Sequence, residues 1–221
     1  MALELSAGFP LSRLDAKRRI FTMPYNPGSP PDRIVKAGRT LFFELGFERV
    51  STDMLAKEAS VSKATLYKYF PNMVKVLEAV TYVEAESFEA GTAMDVETFG
   101  ELCDALTQYG ANLMRFLNKP EIIQFSQLMY EEARAHPDIA SEFYNAAYGR
   151  ALRRISALLQ QGIDKGLIES ALPASELADQ LMGMWEGMPF VRALMCVSKR
   201  PFTRPQEWSA KCVSTLLAPK T

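Results

Sequence analysis

The sequence predicts an all-α protein of about nine helices. Apolar residues recur at intervals of three and four along most of the chain, which is the spacing of one helix face. No stretch alternates apolar and polar residues between turn signals, as a half-buried strand would. Glycine and proline fall mainly at the ends of the periodic segments, where one helix stops or the next begins. These three observations favour a wholly helical fold.

The composition is that of an ordinary globular protein. The chain has 221 residues, of which 48% are hydrophobic and 23% charged, enough to bury the core of one large or two small domains. No apolar run approaches the roughly 18 to 20 residues that cross a bilayer, and the first thirty residues lack the apolar stretch of a secretory signal. We therefore expect a cytoplasmic protein with no membrane partner.

Residues with catalytic or metal-binding chemistry do not cluster along the sequence. The three cysteines are widely spaced, and the single histidine, His136, lies in a His-Pro turn. This pattern indicates neither a zinc site nor a disulfide framework. Nucleophile-elbow, phosphate-loop and dinucleotide motifs are also missing from the sequence. We therefore expect no catalytic residues, no metal and no cofactor.

Charge is distributed unevenly, although the formal net charge is -1. Residues 1–80 carry 12 Lys and Arg against 8 Asp and Glu, whereas residues 81–221 carry 13 against 18. A basic N-terminal third suggests that this end of the protein meets a polyanion. Residues 1–31 contain five prolines and the run Lys17-Arg18-Arg19, and we expect them to form a basic, irregular arm.

The first two helices are predicted from their caps and their apolar spacing. Asp32 follows two prolines and can cap a helix that continues to Leu45, where Gly46 supplies the left-handed residue that ends it. A second, shorter helix begins at Ser51 or Thr52, either of which can act as its N-cap.

A tight turn separates the second helix from a third. Residues 60–62 form the turn, and the third helix runs from Lys63 to Phe70, where Pro71 stops it. Asn72 can cap a fourth helix. Three helices with a tight turn before the third have the spacing of a helix–turn–helix motif, whose third helix enters the major groove of DNA.

The outward face of the third helix suits a nucleic acid. Leu66 and Phe70 are expected to anchor this helix inward. Its outward residues are cations, hydroxyls and one alanine, with no carboxylate that would repel phosphate. They are Lys63, Ala64, Thr65, Tyr67, Lys68 and Tyr69.

These segments resemble the DNA-binding head of the TetR family. The resemblance covers about residues 33–80 and depends on LFFELGF at 41–47, STDMLA at 51–56 and VSKATLYKYF at 61–70. It implies a bacterial one-component regulator, a homodimer that binds double-stranded DNA and carries a helical ligand-binding body. It also implies DNA contacts: Thr52, Tyr67 and Tyr69 hold the backbone, and Thr65 contacts a phosphate or a thymine methyl. Lys63 and Ala64 face base edges, and Lys68 contacts a base or a phosphate.

Two positions depart from the family pattern. Ser60 stands in the turn where the family commonly has glycine, so its backbone must be left-handed or strained. Met73 stands where the family tends to place a phosphate-binding lysine, which leaves Lys75, two residues further, as a substitute DNA contact. An alternative interpretation keeps the fold but weakens the head, so that the protein is a dimeric small-molecule or protein-binding module.

The body is predicted to be a further set of helices. Pro120 closes the first of them, His136-Pro137 separates the next two, and Pro173 precedes the fourth. Their expected ranges are 99–117, 121–135, 138 to about 162, 175 onwards and 206–217. With the helix–turn–helix domain at 32–80, residues 81–221 are assigned to effector binding and dimerisation.

Part of the body carries a heptad pattern. The residues at the a and d positions are Leu181, Met184, Met188, Val191 and Met195. The pattern predicts a helix seam between two subunits, with Trp208 on the partner face. Pro189 lies inside this segment and should kink the helix. Because methionine also lines adaptable pockets, Met184 and Met188 are compatible with a ligand site as well.

A cavity between the body helices is the second candidate site. Its effector would be small and hydrophobic or aromatic, because few charged residues point inward. The residues expected to line it are Tyr109, Met114, Phe125, Met129 and Trp185. Together, the head and body predict a homodimeric, ligand-responsive repressor that binds a pseudopalindromic operator.

Overall fold

The computed structural model describes residues 26–89 and 95–217. These ranges contain ten helices and no β-strand, which confirms the all-α prediction. The predicted N-terminal arm lies outside the described residues except for 26–31. The helices are α1 Pro30–Leu45, α2 Thr52–Glu58, α3 Lys63–Tyr69, α4 Met73–Glu89, α5 Phe99–Leu117, α6 Pro120–Glu132, α7 Pro137–Ala146, α8 Tyr148–Asp164, α9 Ala174–Leu194 and α10 Pro205–Leu216.

The single helix predicted from 138 to about 162 is two helices, α7 and α8. Ala147 separates them, with φ -89° and ψ -80°, a ψ well outside the usual helical value. The apolar spacing continues on both sides of Ala147, so the sequence pattern contains no sign of the break. When α7 and α8 are counted as one, the described residues contain the nine helices that the sequence predicts.

Helix α1 begins two residues earlier than predicted. Ser29 caps it in place of Asp32, and the Ser29 hydroxyl accepts a hydrogen bond from the Asp32 N–H at 3.5 Å. Pro30 and Pro31 therefore lie inside the first turn rather than before it. Proline is favourable there because the first N–H groups of a helix have no helical partner to lose.

The caps of the next helices are confirmed. Ser51 Oγ accepts from the Met54 N–H at 3.2 Å at the start of α2. Asn72 Oδ1 accepts from the Lys75 N–H at 3.0 Å at the start of α4. These local bonds fix the directions of α2 and α4 because each satisfies a backbone donor that the helix leaves free.

Helix α4 connects the head to the body. It packs against α1 of the head and against α7 of the body. The contact with α1 is close at Gly38, where an added Cβ would lie 2.9 Å from Val76 Cγ1 and 3.3 Å from Val80 Cγ2. The first helix of the head is therefore held directly on α4.

Helix α5 is the central helix of the body. Its N-terminus carries a capping box, in which Thr98 Oγ1 accepts from the Glu101 N–H at 3.2 Å and Glu101 accepts from the Thr98 N–H. Its buried face packs against α8, α9 and α10. The helices approach most closely at Gly110, where an added Cβ would lie 2.3 Å from Trp185 Cε2 and 2.4 Å from Ser209 Oγ.

Helix α9 is interrupted in its second half. Gly187 has φ 41° and ψ -158°, which no helix contains, and Pro189 follows two residues later. The predicted kink is therefore confirmed, and glycine is the residue that adopts this positive φ without a steric penalty. The heptad pattern does not run along one straight helix, because its first two positions precede the break and its last three follow it.

We expect Gly110→Ala to lower the free energy of unfolding by about 1 to 3 kcal/mol, because the new methyl group overlaps the Trp185 ring. Urea denaturation measures this difference. Gly100→Ala in the same helix is the matched control, since no atom lies nearer than 3.9 Å to its Cβ position. The control should leave stability unchanged or raise it by up to about 1 kcal/mol. Equal stability of the two variants would contradict the packing at Gly110.

Candidate functional site

The turn between α2 and α3 is a Schellman motif centred on Ser60. The Val61 N–H donates to the Ala56 carbonyl at 2.9 Å, and the Ser60 N–H donates to the Lys57 carbonyl at 3.1 Å. Ser60 has φ 52°, so the left-handed backbone predicted at this position is confirmed. Arg33 of α1 donates to the Ser60 carbonyl at 3.0 Å and ties the turn to the rest of the head.

Helix α3 is anchored as the sequence predicts. Leu66 and Phe70 are buried, with 1% and 2% of their surface exposed. Ser62 caps the helix by accepting from the Thr65 N–H at 3.0 Å. The remaining side chains of α3 face outward or lie half-buried at the surface, so they form one accessible face.

The first turns of α2 and α3 lie side by side. The hydroxyls of Thr52 and Tyr67 are 3.4 Å apart, and Tyr67 is 52% exposed. On the same helix the Lys68 ammonium lies 5.5 Å from the centre of the Tyr69 ring. The structure therefore places hydroxyls from two helices and a cation from α3 on one exposed surface.

A carboxylate that the sequence analysis missed lies on this surface. Asp53 Oδ1 of α2 is 2.7 Å from the Lys63 ammonium of α3. The hydrogen bond that Lys63 donates to Asp53, together with the negative charge of that carboxylate, raises the pKa of Lys63. An acidic residue in the first turn of a helix is common for reasons of helix electrostatics, so Asp53 in α2 carries no sequence signal of its pairing with α3. Lys63 is thus paired within the protein when no DNA is bound.

Lys75 points toward the body. Its ammonium contacts Glu78 on its own helix and lies 3.6 Å from Glu142 Oε2 on α7. Burial opposes the charge on Lys75, but the hydrogen bond and charge of Glu78, together with Glu142, raise its pKa overall. A phosphate contact by Lys75 would require these ion pairs to break.

A cavity lies where the head meets the body. Side chains from α1 and from α4 to α9 line it, together with Ala147, and it encloses about 590 Å³ of empty space, part of it open to solvent. Phe43 of the head forms one wall and stacks on Phe125 at 4.3 Å with the rings 9° from parallel.

One of the five residues expected to line a cavity lies in this wall, and that residue is Phe125. The others pack in the core instead: Tyr109, Met114 and Trp185 have no exposed surface, and Met129 has 3%. Tyr109 and Trp185 contact each other, with ring centres 6.1 Å apart. The helical spacing identifies all five as inward-facing, but it does not distinguish a wall from the packed interior.

The cavity wall contains five polar side chains, which are Thr81, Glu84, Ser126, Tyr148 and Glu186. Thr81 Oγ1 is buried without a hydrogen-bond partner, and Glu84 is held by Arg39, with Nε 2.6 Å from Oε1. Burial raises the pKa of Glu186 to about 7. Burial and the nearby charge of Glu186 raise the pKa of Tyr148. Two carboxyl groups thus lie in a wall that the sequence analysis expected to be nearly free of charge.

The heptad residues divide between the interior and the surface. Leu181 is fully buried in its own protomer, and Met184 is half-buried beneath Trp208, whose Nε1 donates to the Met184 carbonyl at 3.0 Å. After the break at Gly187 the apolar residues are exposed. Met188 is 62% exposed and Met195 is 71%, and Val191 and Trp208 are also exposed. We call this exposed set of Met188, Val191, Met195 and Trp208 the apolar patch.

Two family models match separate parts of the chain. The model of bacterial regulatory proteins of the tetR family matches residues 34–80. The model of the C-terminal domain of AefR-like transcriptional repressors matches residues 104–218, more than half of the chain. The chain belongs to the TetR family. It is therefore a transcriptional regulator that binds DNA, and the family consists of regulators rather than enzymes.

Individual TetR family relatives agree with this assignment. The chain is 27% identical over 150 residues to YdeS, an HTH-type transcriptional regulator of Bacillus subtilis, covering 68% of this chain and 73% of YdeS. It is 31% identical over 147 residues to the nucleoid occlusion factor SlmA of Haemophilus influenzae, covering 60% of this chain and 64% of SlmA.

The fold is also that of the family. The crystal structure of a TetR transcriptional regulator from Agrobacterium tumefaciens superimposes with a TM-score of 0.69 at 20% identity, covering 87% of this chain and 93% of that one.

None of the helices in the described ranges combines the length and the apolar composition that a membrane-spanning helix needs.

We expect Asp53→Asn to strengthen DNA binding several-fold, because it removes a negative charge beside the phosphates and releases Lys63. The gain should be largest at low salt, where charge contacts are screened least. Fluorescence anisotropy with a labelled duplex measures the DNA affinity and its dependence on salt. Asp138→Asn, at the start of α7, is the control and should have no effect. Weaker binding by Asp53→Asn would mean that the ion pair orients Lys63 for DNA.

Proposed function

We propose that the protein is a dimeric, effector-responsive repressor whose two heads bind successive major grooves of a pseudopalindromic operator. The observation that carries the proposal is a cavity walled by Phe43 of the head and by six helices of the body and connecting segment. A ligand in such a place contacts the DNA-binding unit and the body at once. The match of residues 104–218 to AefR-like repressors supports the direction of control.

In this proposal the N-terminal turn of α3 reads the operator. Lys63 and Ala64 face base edges, and Lys68 contacts a base or a phosphate. Thr52, Thr65, Tyr67 and Tyr69 hold the backbone, which fixes the position of α3 in the groove. The adjacent hydroxyls of Thr52 and Tyr67 support this role, because a phosphate oxygen placed between them would accept from both.

The apolar patch is the proposed dimer seam. Its four side chains are exposed in the single chain, and a second copy related by a twofold axis would remove them from water. Leu181 belongs to the protomer core, so the seam consists of the segment after Gly187 and of α10. Two heads held by this seam would reach half-sites separated by about 34 to 36 Å.

Effector binding would act through Phe43 and Glu84. Both line the cavity, and Arg39 of α1 connects them: its guanidinium carbon lies 4.8 Å from the centre of the Phe43 ring, and its Nε bonds Glu84. A ligand that displaces Phe43 or changes the position of Glu84 moves α4, together with the α1 helix packed on it, relative to the rest of the body and alters the separation of the heads. A coupling of about 1 to 3 kcal/mol changes operator affinity between 5- and roughly 150-fold.

A second candidate function is the same dimer with a weakened head. The pairing of Lys75 with Glu78 and Glu142 favours it, because Lys75 is then neutralised by the protein. In that case the protein acts by binding a small molecule or a partner protein, and its affinity for DNA is weak and unspecific. Two measurements separate the two functions: whether the protein prefers one DNA sequence, and how steeply its affinity for that sequence falls with salt.

Selection of duplexes from a random pool at two salt concentrations tests the operator proposal. We expect enrichment of a palindromic site whose affinity falls steeply with salt. For that site, Lys63→Ala should weaken binding and reduce the salt slope by about one, and Tyr67→Phe should weaken binding by roughly 3- to 10-fold. Tyr144→Phe is the matched control, since Tyr144 is also 52% exposed but lies in the body. No enrichment at either salt would favour the second function.

We expect Met195→Glu to dissociate the dimer, because it places one charge from each subunit in the proposed apolar seam. Sedimentation velocity should show a dimer for the unchanged protein and a species of half the mass for the variant. Met54→Glu, at an exposed methionine of the head, is the control and should stay dimeric. A variant dimer as stable as the original would place the seam elsewhere.

A further inference from the structure

Glu186 is a half-buried carboxyl group without a cationic partner among the described residues. It lines the cavity, and burial alone accounts for the rise in its pKa. Among the residues that the structure describes, no Lys, Arg or His lies within ion-pair distance of it. Glu84, the other carboxyl group of the wall, differs because Arg39 already holds it. Only Glu186 is therefore available to a charged ligand.

The rest of the wall is built for a cation rather than an anion. Five aromatic rings line the cavity: Phe43, Phe116, Phe125, Phe143 and Tyr148. The face of an aromatic ring carries partial negative charge and attracts ammonium groups. No basic side chain of the described residues lies in the wall. Two of the rings already face a protein cation, Phe43 the guanidinium of Arg39 and Phe116 the ammonium of Lys119. An anionic ligand would meet a carboxyl group and negative ring faces, and the guanidinium behind the wall is already paired with Glu84.

The backbone at Glu186 adds to this preference. The first segment of α9 ends here, because Gly187 leaves the helical conformation. The C-terminal end of a helix carries partial negative charge, which favours a cation nearby. Thr81 adds an unpartnered hydroxyl to the same wall, and its oxygen can accept a hydrogen bond from an ammonium N–H.

We propose that the cavity binds an effector with a protonated amine or quaternary ammonium group on an aromatic body, and that Glu186 is its counter-ion. The proposal rests on the proposed function, because it assumes that the effector enters this cavity. It adds a positive charge to the small hydrophobic or aromatic effector expected from the sequence. The aromatic body packs among the rings, and the charged group lies at the Glu186 end, where its attraction to the carboxylate offsets the loss of hydration.

Three probes of similar size but different charge test this proposal. They are phenethylammonium, 2-phenylethanol and phenylacetate, and their affinities are measured by isothermal titration calorimetry at about pH 8, where Glu186 with its pKa of about 7 is mostly ionised. We expect the cation to bind at least 10-fold more tightly than the alcohol, and the anion to bind most weakly. Each protein sample is checked for unchanged thermal unfolding and operator binding before the titration.

Glu186→Gln identifies the source of the preference. The amide keeps the size of the side chain and removes its charge, so the cation should bind no more tightly than the alcohol, whose own affinity should change little. Glu176→Gln, an exposed position on the same helix, is the matched control and should keep the full preference. These results would support Glu186 as the counter-ion.

Other outcomes overturn the proposal in distinguishable ways. If cation and alcohol bind equally, or if the preference persists in Glu186→Gln, the cation site is refuted while the cavity remains a ligand site. If the anion binds most tightly, the sign of the recognition is wrong. If none of the three probes binds, the cation site and the ligand cavity of the proposed function fail together.

Discussion

The contact between α1 and α4 is the constraint on which the rest of the structure depends. Gly38 allows the two helices to approach so closely that Val76 and Val80 occupy the space where a side chain would be. Because α1 cannot shift without moving α4, the position of the head follows the position of α4. Arg39 and Phe43, on the same helix as Gly38, extend this contact to Glu84 and Phe125. The head and the body therefore share one continuous packed region rather than a flexible joint.

The head could be predicted almost completely because its signals are local. Ser51, Asn72 and the anchors Leu66 and Phe70 each act within a few residues of where they stand in the chain. Even the left-handed backbone at Ser60 follows from the family pattern, which commonly has glycine at that position. The exceptions also have local causes, since Ser29 caps α1 in place of Asp32 because two prolines fit inside its first turn. Asp53 was missed because its pairing with Lys63 joins two helices.

The body could be predicted as a set of helices but not as a site. The spacing of apolar residues shows which face of a helix is inward. It assigns the same inward face to residues of the core and of the cavity wall, namely Tyr109, Trp185, Phe125 and Phe143. Whether an inward residue meets a cavity depends on how seven helices come together, and no sequence window contains that information. Glu186 was hidden for a related reason: it lies within the methionine-rich heptad pattern, where a carboxyl group reads as a solvated position. Its face of α9, which it shares with Met182 four residues earlier, lines the cavity.

The break at Gly187 also divides α9 into two segments that contribute to different surfaces of the protein. The segment before Gly187 contributes Met182 and Glu186 to the cavity, and the segment after it carries Met188, Val191 and Met195 on the outside. In an unbroken helix, a substitution that tilts one segment would tilt the other with it. Gly187 absorbs such a change at a single residue. The inner and outer halves of α9 can therefore diversify separately, so that a descendant of this chain could acquire a new effector without losing its partner.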